Sequence, residues 1–183
     1  MPLPPFPLHL VPPEGINFHE ISPLPTTEDG LHPAYELIHG QLLENPTNTE
    51  NDGDRVLRIN AILGKGRKWR LFVATQRIDT YEQHRAEASD CGTLPTIVGA
   101  MLVAETVPFY PEMKYFAVNP TARLKGIGTG LFLHAEKSLV SSGALIIGVD
   151  SPTQQGEKLY ERYGYIAHKS EWGRTISMTK KLP

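Results

Sequence analysis

The sequence predicts an α/β domain with a mixed sheet of about seven strands and helices on both faces, and three observations carry that expectation. Strand-like and helix-like periodicities follow one another in the order strand, two helices, three strands, helix, strand, helix, two strands. Ala144 to Val149 (ALIIGV) is almost wholly apolar, as a strand covered on both faces should be. Tyr115 to Gly130 (YFAVNPTARLKGIGTG) reads as a strand, a glycine-rich turn and the start of a long amphipathic helix.

At 183 residues the chain suits one domain, Ile16 to Pro183, able to bury about 70% of its unfolded surface. Before it, Pro2, Pro4, Pro5, Pro7, Pro12 and Pro13 exclude a helix or a central strand from Met1 to Gly15. That segment is an extended arm laid over the domain, which its leucines and Phe6 favour, or a loose tail. The formal charge of −2 calls for neither a nucleic acid nor an anionic membrane as partner. Cys91 is the single cysteine, which excludes an internal disulfide and suits a reducing compartment. No apolar run approaches the roughly 18 residues of a membrane span, so a soluble cytoplasmic protein is expected.

Ile16 to Ser22 (INFHEIS) alternates apolar and polar residues as a first strand does. Pro33 to Leu43 follows, with Ala34, Leu37 and Ile38 on one helical face. After the polar turn Asn45 to Gly53, a second helix is expected from Asp54 to Leu63, with Val56, Ile59 and Leu63 on one side. Lys65, Arg67, Lys68 and Arg70 cluster around Trp69; in a near-neutral chain this fits a solvated hairpin or loop, or else a contact with an acidic partner or a cofactor's phosphates. Trp69 to Ile78 and Ile97 to Val107 are strands by composition. The polar stretch Asp79 to Pro95 between them is longer than a hairpin needs, a length often found in functional loops. Its His84 and Cys91 are too few to make a zinc site.

Pro108 to Pro111 turns the chain into the strand Glu112 to Val118. The helix after the glycine turn carries Ile127, Leu131, Ala135 and Leu139 on one stripe with Phe132 beside them, and Ser142 and Gly143 end it. Beyond the apolar strand, Gln155 to Tyr163 is helical and Gly164 caps it, and Tyr165 to His168 with Thr175 to Lys180 forms a closing hairpin.

Gly126, Gly128 and Gly130 would each cost roughly 1 kcal/mol relative to alanine in an ordinary helix interior. A tight turn packed on the sheet would need them; so would an anion approaching the free N–H groups and positive end of the helix, with Arg123 and Lys125 adding charge. The P-loop ending Gly-Lys-Ser/Thr is missing, and Leu131 stands where a dinucleotide fingerprint needs its third glycine.

Arg123-Leu124-Lys125-Gly126-Ile127-Gly128 resembles motif A of the GNAT superfamily of N-acetyltransferases, Arg/Gln-x-x-Gly-x-Gly/Ala. Leu159-Tyr160-Glu161-Arg162-Tyr163-Gly164-Tyr165 resembles its motif B, Leu-Tyr-x-Lys/Arg-x-Gly-Phe, with Tyr165 in the aromatic place. The resemblance covers Tyr115 to Tyr165 and implies the GNAT acyl-CoA N-acyltransferase fold. Thr153 and Gly156 stand where members often carry Asn and Ala, which removes side-chain contacts to the cofactor from that loop.

By the same resemblance, acetyl-CoA enters between the strand ending at Val118 and the one ending at Val149, and no metal is implied. Peptide groups of Phe116, Ala117 and Val118 would bond its pantetheine arm as an added strand does. N–H groups of Leu124, Lys125, Gly126, Ile127, Gly128, Thr129 and Gly130 would hold its pyrophosphate, with Arg123 and Lys125 as screening charge.

The implied reaction is direct attack of an amine on the thioester in a ternary complex. An alkyl amine of pKa about 10.4 is mostly protonated at neutral pH and wants a base. Alternation puts Glu112 on the side of Lys114 and Phe116, at the place of a strand glutamate that some members use as base; it is that base or an exposed strand-end carboxylate. Glu105 on the preceding strand is the other candidate. Tyr160 stands at the family's general acid, for a thiolate whose conjugate acid has pKa about 8.5, or it packs between helix and sheet, as Tyr163 and Tyr165 are expected to do. A backbone N–H near Ala117 or Val118 would take up the charge on the carbonyl oxygen.

The acceptor is not legible. Its pocket would be built from residues 29–52, 79–95 and 107–111, where Glu44, Glu50, Asp52 and the neighbouring Asp54 either attract a cation or are simply solvated. A small-molecule amine is expected, because the chain adds no peptide-reading domain. A non-catalytic acyl-CoA-binding sensor or scaffold, and a transferase of a longer acyl group, are the alternatives. Homodimerisation through strand edges or the proline-rich arm is open.

Overall fold

The computed structural model describes residues 13–26, 32–42, 52–64, 67–76, 95–107, 109–151, 154–168 and 176–182. The N-terminal part of the proline-rich arm, the acidic turn after the first helix and the polar loop with His84 and Cys91 lie outside these residues.

The strands are β1 (Ile16–Ile21), β2 (Lys68–Gln76), β3 (Thr96–Val107), β4 (Tyr110–Val118), β5 (Ile146–Ser151), β6 (Ile166–His168) and β7 (Ile176–Lys181). The helices are α1 (Pro33–Leu42), α2 (Asp52–Leu63), α3 (Ile127–Ser141) and α4 (Gln154–Arg162). All seven strands form one sheet in the order β1-β2-β3-β4-β5-β7-β6. Neighbours are antiparallel except β4 and β5, the pair that α3 connects.

Two apolar layers follow from the period-two alternation of the strands. On one face Trp69, Leu71, Val73, Ala100, Leu102, Ala104 and Ala117 pack with Ala34, Tyr35 and Ile38 of α1 and Ile59 and Ile62 of α2. On the other, Phe72, Met101, Val103, Met113, Ile147, Val149 and Met178 pack with the expected α3 stripe, Ile127, Leu131, Phe132, Ala135 and Leu139, and with Tyr160 of α4. Val98 to Ala104 is buried throughout, as a central strand covered by both layers must be.

Most boundaries differ by a residue or two from the sequence reading, and two strand starts have a visible cause. β4 begins at Tyr110, which pairs with Val107 around a turn where Phe109 takes φ 64°. β5 begins only at Ile146, because the Leu145 and Ile146 N–H groups donate to the Phe109 carbonyl in that turn. The closing hairpin forms, but β7 rather than β6 docks on β5. Behind it, Lys180 of β7 and Glu136 of α3 form a buried ion pair at 2.7 Å, and the Tyr165 hydroxyl donates to the other Glu136 oxygen at 3.0 Å.

Candidate active site

Beside β3, β4 is paired from end to end, but beside β5 it is paired only at Glu112 with Gly148 and Met113 with Val149. β5 stays with β7 as far as Ser151, so from Lys114 onward β4 and β5 part and leave a gap. A bulge marks the parting: Val103 opposes Met113 and Leu102 opposes Tyr115, which leaves Lys114 without a partner on β3. An extra residue of this kind bends the strand and increases its twist.

The bulge also shifts the alternation. Met113, Phe116 and Val118 face the α3–α4 layer, whereas Tyr115, Ala117 and the position of Glu112, opposite Ala104, face the α1–α2 layer. Glu112 is therefore on the other face from Phe116, contrary to a strict count of two. The Asn119 N–H donates to the carbonyl of Val98 directly opposite it. In an antiparallel ladder the next such pair is Ala117 with Ala100, so the peptide groups of Phe116 and Val118 point into the gap and those of Ala117 do not. This corrects the expectation for Ala117 as a ligand to the pantetheine arm and as an oxyanion donor.

Past the gap, the Asn119 side chain accepts from the Thr121 N–H at 3.1 Å and closes a single 3-10 turn, Pro120–Ala122. Leu124 (φ 64°) and Gly126 (φ 77°) then carry the chain through left-handed conformations into α3. Gly126 is its N-cap and offers no capping side chain, and no acidic residue stands in the first turn. The N–H groups of Gly126, Ile127, Gly128 and Thr129 precede the helical hydrogen bonds. Gly130 does not belong with them, because its N–H donates to the Gly126 carbonyl at 2.9 Å. A Cβ at Gly130 would lie 2.8 Å from Phe18 Cε2, so this glycine lets α3 lie close on β1. Arg123 stands beside the gap, its Nε donating to the Val118 carbonyl at 3.3 Å, and Lys125 is exposed.

Tyr160 enters from α4 on the α3–α4 face. It is 7% exposed, with its ring 5.4 Å from Phe132 and 5.9 Å from Tyr165. Burial, and next the Asp150 carboxylate, push its phenol up to about 12. On the α1–α2 face, at the narrow end of the gap, Glu112 Oε2 lies 3.3 Å from Lys114 Nζ, which lies 2.9 Å from Asp150 Oδ2. Burial works against the Lys114 ammonium, but the Asp150 and Glu112 carboxylates outweigh it and raise it overall. Ser177 of β7 donates to Asp150 Oδ1 at 3.0 Å.

Glu105 is not brought to this place. It lies on the α3–α4 face in ion pairs with Lys68 at 2.8 Å and Arg70 at 3.3 Å, and Arg70 also binds Glu20 and Ser138. Sequence reasoning missed Asp150 and Ser177. The first polar residue after ALIIGV could have marked Asp150; nothing local marks Ser177, which is brought opposite Asp150 only by the docking of β7 on β5.

A strand edge whose peptide groups point into a gap, leading to a helix N-terminus without a capping side chain, can bind an extended ligand that ends in an anion. The model of the acetyltransferase (GNAT) family matches residues 70–165, just over half of the chain. No curated protein sequence matches it significantly. Among solved structures, the PaiA N-acetyltransferase of Thermoplasma acidophilum, in complex with coenzyme A, superposes with a TM-score of 0.57 at 16% identity, over 91% of this chain and 99% of that one. An acetyltransferase from Streptococcus agalactiae 2603 gives 0.61 at 16% identity, over 92% and 99%. Ard1 from Thermoplasma volcanium gives 0.56 at 14%, over 92% and 99%. At such identities the likeness is one of fold, and the matched sequence span holds the gap, the glycine turn and Tyr160: the chain belongs to the GNAT family of acetyltransferases.

Proposed function

We propose that the protein transfers the acetyl group of acetyl-CoA to the primary amine of a small molecule in the cytoplasm, by direct attack in a ternary complex. The observation that carries this reading is the gap between β4 and β5, with Tyr160 on one face of the sheet and Glu112 on the other. Its shape suits acetyl-CoA: Gly128 has no side chain to fill the angle between α3 and the ends of Phe116 and Val118, where a Cβ would sit 3.4 Å from each.

In this reading the N–H groups from Leu124 to Thr129 hold the diphosphate, with Arg123 and Lys125 beside them. The peptide groups of Phe116 and Val118 hold the pantetheine arm, and one of their N–H groups stabilises the carbonyl oxygen, a contact typically worth about 3 kcal/mol. Acetyl-CoA supplies a thioester, the carbon that accepts the amine and the thiolate that departs. Of the two candidate carboxylates, Glu112 is the base, taking the ammonium proton directly or through water from the α1–α2 side. Tyr160 meets the sulfur from the α3–α4 side. With its phenol at about 12, complete transfer to a thiolate of pKa about 8.5 is uphill by roughly 5 kcal/mol, so Tyr160 donates a hydrogen bond while the C–S bond breaks.

The test is thiol release from acetyl-CoA against a panel of small amines, polyamines, aminoglycosides, amino acids and peptides, with Tyr160→Phe and Glu112→Gln beside the wild type. Turnover that falls about tenfold or more in each variant while acetyl-CoA still binds supports the reading. Binding without release above background for any amine points instead to a non-catalytic acyl-CoA sensor, and no binding at all sinks the cofactor assignment.

A further inference from the structure

Lys114 is the residue that the bulge leaves unpaired on β4, and its Nζ reaches two carboxylates, Asp150 at 2.9 Å and Glu112 at 3.3 Å. Asp150 follows Val149, the last β5 residue paired with β4, so this ion pair spans the first step at which the strands have separated. Ser177 holds the second Asp150 oxygen from the other side. Ile147 and Val149 face α3 and α4, so Asp150 shares the α1–α2 face with Glu112, yet it is near enough to the gap to act on the Tyr160 phenol beyond it.

We propose that Lys114 is a positioning residue for acetyl transfer: it ties β4 to β5 where the gap begins, holds the Glu112 carboxylate beneath the reacting atoms, and offsets the charge of Asp150 beside Tyr160. This rests on the roles assigned above to Glu112 and Tyr160. Lys114 Nζ is the cation that both carboxylates face, so without it Glu112 loses the contact that holds it at the narrow end of the gap and meets the like charge of Asp150 instead. An unscreened Asp150 also disfavours any negative charge developing on the Tyr160 oxygen. Glu136 of α3 and Lys180 of β7 are paired with each other, and Tyr165 donates to Glu136; on α4 itself Lys158, Glu161 and Arg162 are exposed and Glu157 is half-buried. In the transfer the ammonium gives one proton to Glu112, which passes it to water. As the nitrogen bonds the carbonyl carbon its second proton goes to Glu112, the C–S bond breaks, and the sulfur departs as a thiolate in a hydrogen bond from Tyr160 and takes a proton from solvent.

The experiment compares wild type, Lys114→Met, Lys114→Arg, Asp150→Asn and the double variant Lys114→Met/Asp150→Asn by steady-state thiol release and by alkaline ultraviolet titration of the phenols. The Tyr160 component is the part of the seven-tyrosine signal that Tyr160→Phe removes. Lys114→Met is expected to lower kcat by about tenfold or more while KM for acetyl-CoA stays within about twofold. Lys114→Arg should keep most of the activity, and the double variant should regain part of what Lys114→Met loses. The Tyr160 transition should move to higher pH in Lys114→Met and to lower pH in Asp150→Asn. Unchanged kcat in Lys114→Met overturns the proposal, as does a loss that arginine does not restore with the Tyr160 transition stationary. If even the wild type acetylates no amine, the functional reading is what has failed. The titration then still decides on the charge coupling: shifts of opposite sign uphold it, and a stationary transition ends it.

Discussion

Replacing Lys180 by methionine takes the cation out of the ion pair between β7 and α3 while keeping most of the side chain's length. The two charged side chains are only 8% and 6% exposed, so the Glu136 carboxylate left behind has little access to water and keeps the Tyr165 hydroxyl as its hydrogen-bond donor. Breaking a buried pair in this way costs about 3–5 kcal/mol. For a domain of this size each kcal/mol moves Tm by about 2–4 °C, so a cost near the low end predicts a drop of about 6–12 °C. A second substitution, Glu136→Leu, removes the stranded charge and should recover part of the loss, the unsatisfied Tyr165 hydroxyl holding back about 1–3 kcal/mol. Urea and thermal unfolding followed by circular dichroism is the assay. A Lys180→Met protein within about 1 kcal/mol of wild type, or a double variant less stable than the single one, would refute the argument that burial makes this charge costly.

Tyr160→Phe should change the alkaline limb of stability: a phenol at about 10 in the unfolded chain and about 12 in the fold keeps its full stabilising effect below pH 10 and loses it as pH rises to about 12. The phenylalanine variant should therefore lack about 2–3 kcal/mol of the wild type's fall between pH 10 and 12, read by urea unfolding; parallel curves would contradict it. Gly130→Ala drives a methyl into the Phe18 ring and should destabilise by about 1–3 kcal/mol, with a smaller deficit when Phe18 is also changed to leucine; an unchanged urea midpoint would show that Phe18 swings away freely. Trp69 Nε1 is buried with no hydrogen-bond partner among the described residues, so Trp69→Phe removes an unsatisfied donor along with apolar bulk. Its stability should fall by less than about 2 kcal/mol, and a larger fall in unfolding free energy would mean that the indole N–H has a partner in solution.

The elements were legible where one physical requirement dominates a local stretch. The α3 stripe is such a case, and so is the left-handed Gly126, which no side chain could replace cheaply. The apolar run ALIIGV does mark a strand, but Leu145 and Ile146 are exposed, so the expected cover on both faces is not found. What stayed hidden depends on pairing between distant segments. Nothing in Glu112 to Phe116 announces a bulge, because no glycine or proline stands there and the irregularity arises against β3. Counting by twos therefore puts Glu112 on the wrong face, while the resemblance assigns the peptide groups of Phe116, Ala117 and Val118 alike to the gap. Gly130 groups with Gly126 and Gly128 in the sequence because it follows them at the same spacing, while the ring that requires it belongs to β1. Glu136 and Lys180 each read as an ordinary polar position on an amphipathic element, and only the docking of β7 next to β5 buries them together.

The extra residue in β4 makes the length of that segment, counted in residues, a determinant of which reactant each side chain meets. Deleting Lys114 would leave Glu112 three residues before Phe116, still opposite Ala104 and on the α1–α2 face. A one-residue slip of the preceding segment that absorbs the bulge would instead bring the carboxylate onto the same face as the aromatic rim of the gap. Amine and thioester would then be served from one side of the sheet instead of through it. The same arithmetic governs any comparison with a relative: an alignment run ungapped from Phe116 toward an unbulged strand would shift Glu112 by one position and give its role to a residue facing the opposite layer.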